Sequence, residues 1–146
     1  MNSQREKIVR NIVETLKNQH AVRLGTVTRD PGISLEDLAA TAFPAVIIES
    51  GNELRESITQ GGSSATRQAR MEVNISVWTN SNASADTQRN DLIEAIEELL
   101  EQDASRGGNS LDTQLTSVIT DNSQTAPYIS MVLTFEIPYL YIKGQV

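Results

Sequence analysis

The chain has 146 residues, enough for one domain that buries roughly 68–70% of its unfolded surface. Its 19 Asp and Glu against 12 Lys and Arg leave a net charge of −7, so it lacks the cationic excess that grips nucleic-acid phosphates. The absence of cysteine removes disulfides, thiolate metal sites and cysteine nucleophiles, and a single histidine, His20, removes a histidine metal site within one chain.

Ser3-Gln4-Arg5-Glu6 has the form of a capping box, in which a hydroxyl and a carboxylate satisfy backbone donors at a helix start. Ile8, Val9, Ile12, Val13 and Leu16 then recur at helical spacing as one apolar stripe. Each such side chain contributes about 1.5–3 kcal/mol when buried, so the helix is expected to be docked. Lys17 and His20 suit the negative pole at its end. The polar stretch Met1–Lys7 leads into this pattern and not into a signal-peptide core, and no run approaches the ~20 apolar residues that span a bilayer. The expectation is a soluble, unexported protein without a membrane partner.

Val22–Thr28 is expected as a strand and Asp30-Pro31-Gly32 as a turn. Ser34-Leu35-Glu36-Asp37 is a second capping box, opening a short helix through Ala42. Ala45-Val46-Ile47-Ile48 reads as a strand covered on both faces. From Glu53 to Arg70 the chain turns polar for longer than the ~12–15 residues beyond which connections in compact domains become uncommon. This stretch is expected as a projecting loop or hairpin arm with Gly61-Gly62-Ser63-Ser64 at its tip.

Met71, Val73, Ile75 and Val77 alternate with polar residues, which predicts a strand with one buried face. After the polar linker Asn80–Ser84, a helix is expected to bury Ala85, Leu92, Ile96 and Leu99, with Ile93 and Leu100 widening the stripe. Glu94, Glu97, Glu98 and Glu101 lie mostly on its other side, and Arg106-Gly107-Gly108-Asn109 closes the unit. Leu111–Thr120 is expected as a strand and Asp121–Pro127 as a turn. Ile129, Met131, Leu133, Phe135, Ile137, Tyr139 and Tyr141 then share one face of a last strand, where Pro138 predicts an edge position or a bulge. The sum is one α+β (mixed α/β) domain over 1–146, with a single sheet of about four to five strands, two main helices on one face, and the arm at 53–70.

No residues are assigned to catalysis, a cofactor or a metal. A Ser-His-Asp arrangement would have to use His20, and no Gly-x-Ser-x-Gly elbow accompanies it. The Gly61-Gly62 pair lacks the spacing of a phosphate-binding loop. Asp30, Glu36 and Asp37 are the carboxylates on which a small enzyme or ligand-binding domain would rest, although Glu36 and Asp37 also suit the first turn of a helix. Arg55, Arg67 and Arg70 stand out on an acidic chain. They read either as solubilising charge or as an interface that docks onto an acidic surface of a neighbouring copy, such as Glu94, Glu97, Glu98 and Glu101 would offer. Trp78, opposite the apolar face of its strand, either packs under a helix or anchors an interface.

The element order and several phrases resemble the tail terminator (tail completion) proteins of tailed bacteriophages. The phrases are the first amphipathic helix, Phe43-Pro44-Ala45-Val46-Ile47-Ile48-Glu49, the arm, Met71-Glu72-Val73-Asn74-Ile75-Ser76-Val77-Trp78-Thr79, the helix around Asp91–Glu97, and Leu133-Thr134-Phe135-Glu136-Ile137-Pro138-Tyr139. The resemblance implies a non-enzymatic virion protein, assembled in the host cytoplasm into a homo-oligomeric ring, typically a homohexamer. Such a ring caps the tail tube, joins it to the head-tail connector or neck protein, and lets DNA pass without specific binding. Its implied partners are further copies of itself, the tail tube protein and the connector.

Overall fold

A computed structural model describes residues 3–30, 38–62, 65–80, 84–121 and 129–144, together with the backbone but not the side chain of Ala85. The expected capping box at Ser34–Asp37, Ser63-Ser64, the linker at 81–83 and the turn at 122–127 lie outside the described residues.

Helix α1 (Gln4–Asn18) starts where Ser3 Oγ accepts the Glu6 N–H at 3.1 Å, half of the anticipated capping box. The Glu6 carboxylate turns outward to Arg10 and Arg29 instead. Ile8, Val9, Ile12 and Leu16 are buried along one side. Helix α2 (Ala85–Glu101) buries Leu92, Ile96, Leu99 and Leu100. Five strands, β1 (Thr26–Thr28), β2 (Ala45–Ser57), β3 (Thr66–Thr79), β4 (Gln114–Thr120) and β5 (Ile129–Ile142), form one sheet in the order β1-β2-β3-β5-β4. Only β1 and β2 run parallel; every other pairing is antiparallel. The fold is α+β. Both helices pack on one face, here the helix face, against Val46, Ile48, alternate residues of β3 from Ala69 to Val77, and those of β5 from Met131 to Tyr141.

Two strands are shorter than their sequence suggests, because other bonds take up the backbone groups at their starts. The Gln19 amide closes a turn by bonding both the N–H and the carbonyl of Val22, and the Arg23 guanidinium holds the carbonyls of Thr41 and Phe43 at 2.6 Å each. Gly25 then lies against the turn at Ala40–Ala42, where a β-carbon would collide with the backbone. Strand pairing therefore begins only at Thr26. Likewise the Leu111 N–H is spent on the Pro138 carbonyl at 2.8 Å, and β4 starts at Gln114.

Glu53–Arg70, expected as a projecting loop or hairpin arm, is a hairpin within the sheet and not a separate excursion: Glu53–Ser57 completes β2, Thr66–Arg70 opens β3, and the two pair with each other. Thr66–Arg70 also pairs with Pro138–Ile142 of β5, so three strands run on as a tongue of the sheet. Arg5 of the first turn of α1 bonds Glu53, and Ala69, Tyr139 and Tyr141 on the helix face are buried, so the exposed polar residues of the stretch fall mainly on its outward positions.

Pro138 meets the expectation of an edge position locally, although β5 as a whole lies between β3 and β4. In an extended strand a residue's N–H and C=O point to the same side. The Pro138 carbonyl accepts from Leu111, away from β3, and β4 pairs no further than Glu136. The missing donor thus falls where no ladder partner exists.

Candidate interaction surface

A bulge decides what the tongue displays. Val46, Ile48 and Ser50 of β2 pair with Val77, Ile75 and Val73 on the helix face, but the register then shifts so that Glu53 pairs with Met71. The extra residue switches the alternation. Beyond it the helix face carries the rows Glu53–Met71–Ile137, Arg55–Ala69–Tyr139 and Ser57–Arg67–Tyr141. The far face carries Leu54–Arg70–Pro138 and Glu56–Gln68–Leu140.

On the helix face Glu53 is a hub, its side chain only 8% exposed. Its Oε1 accepts from Arg5 Nη1 at 3.0 Å and from the Tyr139 hydroxyl at 2.9 Å, while Oε2 accepts from Arg55 Nε. Burial opposes its ionisation, but hydrogen bonds from Arg55, Tyr139 and Arg5 outweigh it and hold the carboxyl below its ordinary range. Burial, with the bond to Glu53, pushes the Tyr139 phenol up to about 12. Arg5 also donates to the Gly51 carbonyl at the bulge, which ties α1 to the base of the tongue.

Farther out, two cations lie over the Tyr141 ring: the Arg55 guanidinium is 5.1 Å and that of Arg67 6.0 Å from its centre. The Tyr139 ring stands beside it at 6.0 Å. Tyr141 is 7% exposed, and its buried hydroxyl and the buried Arg67 Nε have no hydrogen-bond partner among the described residues. The far face is different. Leu54, Leu140 and Ile142 expose 77%, 41% and 44% of their surface, and Arg70 reaches Glu56 at 3.6 Å.

The three arginines singled out in the sequence are therefore divided. Arg55 and Arg67 flank Tyr141 on the helix face, while Arg70 lies on the far face with the exposed leucines. Trp78, half-buried in the row Ala45–Trp78–Ser130, is on the far face as well, so it does not pack under either helix. On α2, Glu94, Glu98 and Glu101 are exposed and Glu97 is half-buried. Their spacing lines up Glu94, Glu98 and Glu101 as one stripe. Among the described residues no Lys or Arg pairs with any of the four.

Of the carboxylates considered for chemistry, Asp30 is exposed beside the Thr28 hydroxyl, which accepts its N–H at 3.1 Å; Glu36 and Asp37 lie outside the described residues. Among the described residues no three His, Asp or Glu side chains gather as a metal site, and no helix is long and apolar enough to cross a membrane. His20 is exposed beside an open cleft lined by Leu16 and Val22. A second cleft of about 350 Å³ lies between Phe43-Pro44, Thr79 and α2, with Asp91 as the one carboxylate among its described lining residues.

Sequence reasoning missed the Glu53 hub because its partners are 48 and 86 residues away in the chain. It also missed Arg106, which is fully buried, has a positive φ of 50°, and donates to the carbonyls of Leu100 and Asp103. That guanidinium supplies donors to carbonyls at the end of α2, the usual need of a helix C-terminus. The run Arg106–Asn109 marked the place but not the buried cation. No protein-family model matches the chain, and no curated protein matches it.

Proposed function

We propose that this chain is a structural virion protein of the tail-terminator kind: a homo-oligomeric ring, hexameric by analogy with the family it resembles, that caps a phage tail tube and joins it to the head or neck. The observation that carries the reading is the tongue. Three paired strands carry Arg55 and Arg67 on one face and the exposed Leu54, Leu140 and Ile142 on the other. A monomer gains little from exposing Leu54, Leu140 and Ile142 on one face, whereas a subunit contact gains from covering them. The neighbours in this reading are further copies of the chain, the tail tube protein and a head-tail connector protein. The net charge of −7 suits a passage that DNA crosses without being held.

The test is particle size and shape. Sedimentation and electron microscopy of the purified protein should show closed rings, and added protein should stop tail-tube polymerisation at the capped end. A chain that stays monomeric at high concentration and leaves tube growth unchanged overturns the reading. Turnover of a small substrate that is abolished by Asp30→Asn would favour the enzyme alternative instead.

A further inference from the structure

We infer that the subunits of this ring meet head to tail, with the Arg55–Tyr141–Arg67 face of one tongue seated on the Glu94–Glu98–Glu101 stripe of α2 in a second copy; this rests on the ring reading above. Three observations point to that pairing. First, the charges are complementary. Around Glu53 the tongue gathers Arg5, Arg55 and Arg67, so one carboxylate is set against three guanidinium groups. The α2 stripe is purely anionic, and among the described residues nothing cationic pairs with it. Carboxylates one turn apart on a helix repel each other, so an external cation relieves a cost that the isolated chain bears.

Second, the tongue's hydrogen bonding is incomplete among the described residues. Within them the Tyr141 hydroxyl and Arg67 Nε are buried without partners. Such atoms are rare in folded proteins, and a partner carboxylate that reaches them by side-chain adjustment on contact would supply the acceptor that both lack. Arg55 and Arg67 are already held against the Tyr141 ring, at 5.1 and 6.0 Å, so two forked donors are partly ordered before any partner arrives.

Third, the two surfaces lie on different elements of the same chain. A contact between unlike patches is heterologous, and when the rotation between copies closes it builds a ring, whereas a patch that pairs with itself stops at a dimer. Arg70 is not part of this contact, because the bulge in β2 leaves it on the far face beside Glu56.

The experiment uses two full-length variants, Arg55→Gln with Arg67→Gln, and Glu94→Gln with Glu98→Gln and Glu101→Gln. Mass photometry at low salt is expected to show rings for the wild type and monomers for each variant alone, with self-association weakened about ten-fold or more. Mixed together, the two variants should form a one-to-one heterodimer and nothing larger, since the mixture retains one intact contact and cannot propagate it. Arg55 also neutralises Glu53, so Arg67→Gln alone and the exposed glutamate variant serve as the pair that keeps the fold, checked by unchanged thermal unfolding. Wild-type rings that persist in both variants, or a mixture without heterodimers, overturn this contact and leave the ring reading standing. A wild-type chain that never self-associates overturns both.

Discussion

The two halves of the sheet are held together by different physics. Under the helices, the strands meet α1 and α2 mainly through hydrocarbon: Val73, Ile75, Val77, Leu133 and Phe135 are fully buried in one cluster with Ile8, Ile12 and Ile96. In the tongue the same alternation continues, but the buried layer becomes Glu53, Tyr139 and Tyr141 with arginines laid over them. Apolar burial is non-directional and tolerates any approach that excludes water. A buried carboxylate needs its partners in place, because leaving it unpaired costs more than the pair contributes. The covered half thus provides cohesion. The tongue carries oriented charge on a surface that a neighbour can reach.

The sharpest way to break this contrast is to cut into each half. Phe135→Ala under the helices should cost about 3–5 kcal/mol and lower the midpoint of global denaturant unfolding, since the whole core shares the cavity. Glu53→Gln is expected to cost about 1–3 kcal/mol, through lost charge-assisted bonds to Arg5 and Arg55. Its signature is local. Amide exchange should quicken in β2 and β3 on the tongue while α2 and the covered strands keep their protection.

Acid should reproduce part of that second effect. The folded Glu53 carboxyl titrates below its ordinary 4.5, so its contribution is fully present above that pH and is lost as pH falls through the folded value. Tyr139 works in the opposite sense. Its phenol is pushed up to about 12 from 10.0, so its contribution is complete below pH 10 and is lost as pH rises toward 12. Tongue exchange measured across both ranges should show a plateau between them, and Glu53→Gln should remove the acid limb. Smallest of all, Leu54→Ser on the far face should shift stability by no more than about 0.5 kcal/mol, since Leu54 is 77% exposed. If that substitution instead destabilises the monomer strongly, the far face is not an open surface.

Much of the covered half was legible in the residues themselves. The stripe Ile8-Val9-Ile12-Leu16 and the alternations Met71–Val77 and Ile129–Tyr141 each specify an element and the face it buries, because burial and periodicity act within a few neighbouring residues. The tongue was legible only as an anomaly of length and charge. Most of its outward residues are polar, and in a lone sequence a polar strand looks like a loop. The candidate site divides in the same way. The glutamate stripe on α2 follows from helical spacing and stands where it was expected. Arg55, Arg67 and Arg70 were grouped by sequence proximity, and the sheet separated them.

The sequence by itself determined the class of fold, both main helices, and the buried faces of the two longest strands, since those follow from local patterns of apolar residues. Only the tertiary structure decided which way the tongue's side chains point. One extra residue between Ser50 and Glu53 reverses the alternation, placing Glu53 and Arg55 on the helix face and Leu54 on the other. That outcome depends on pairing with β3 and β5 and on Arg5 from a helix far away in the chain, contacts that no local pattern encodes.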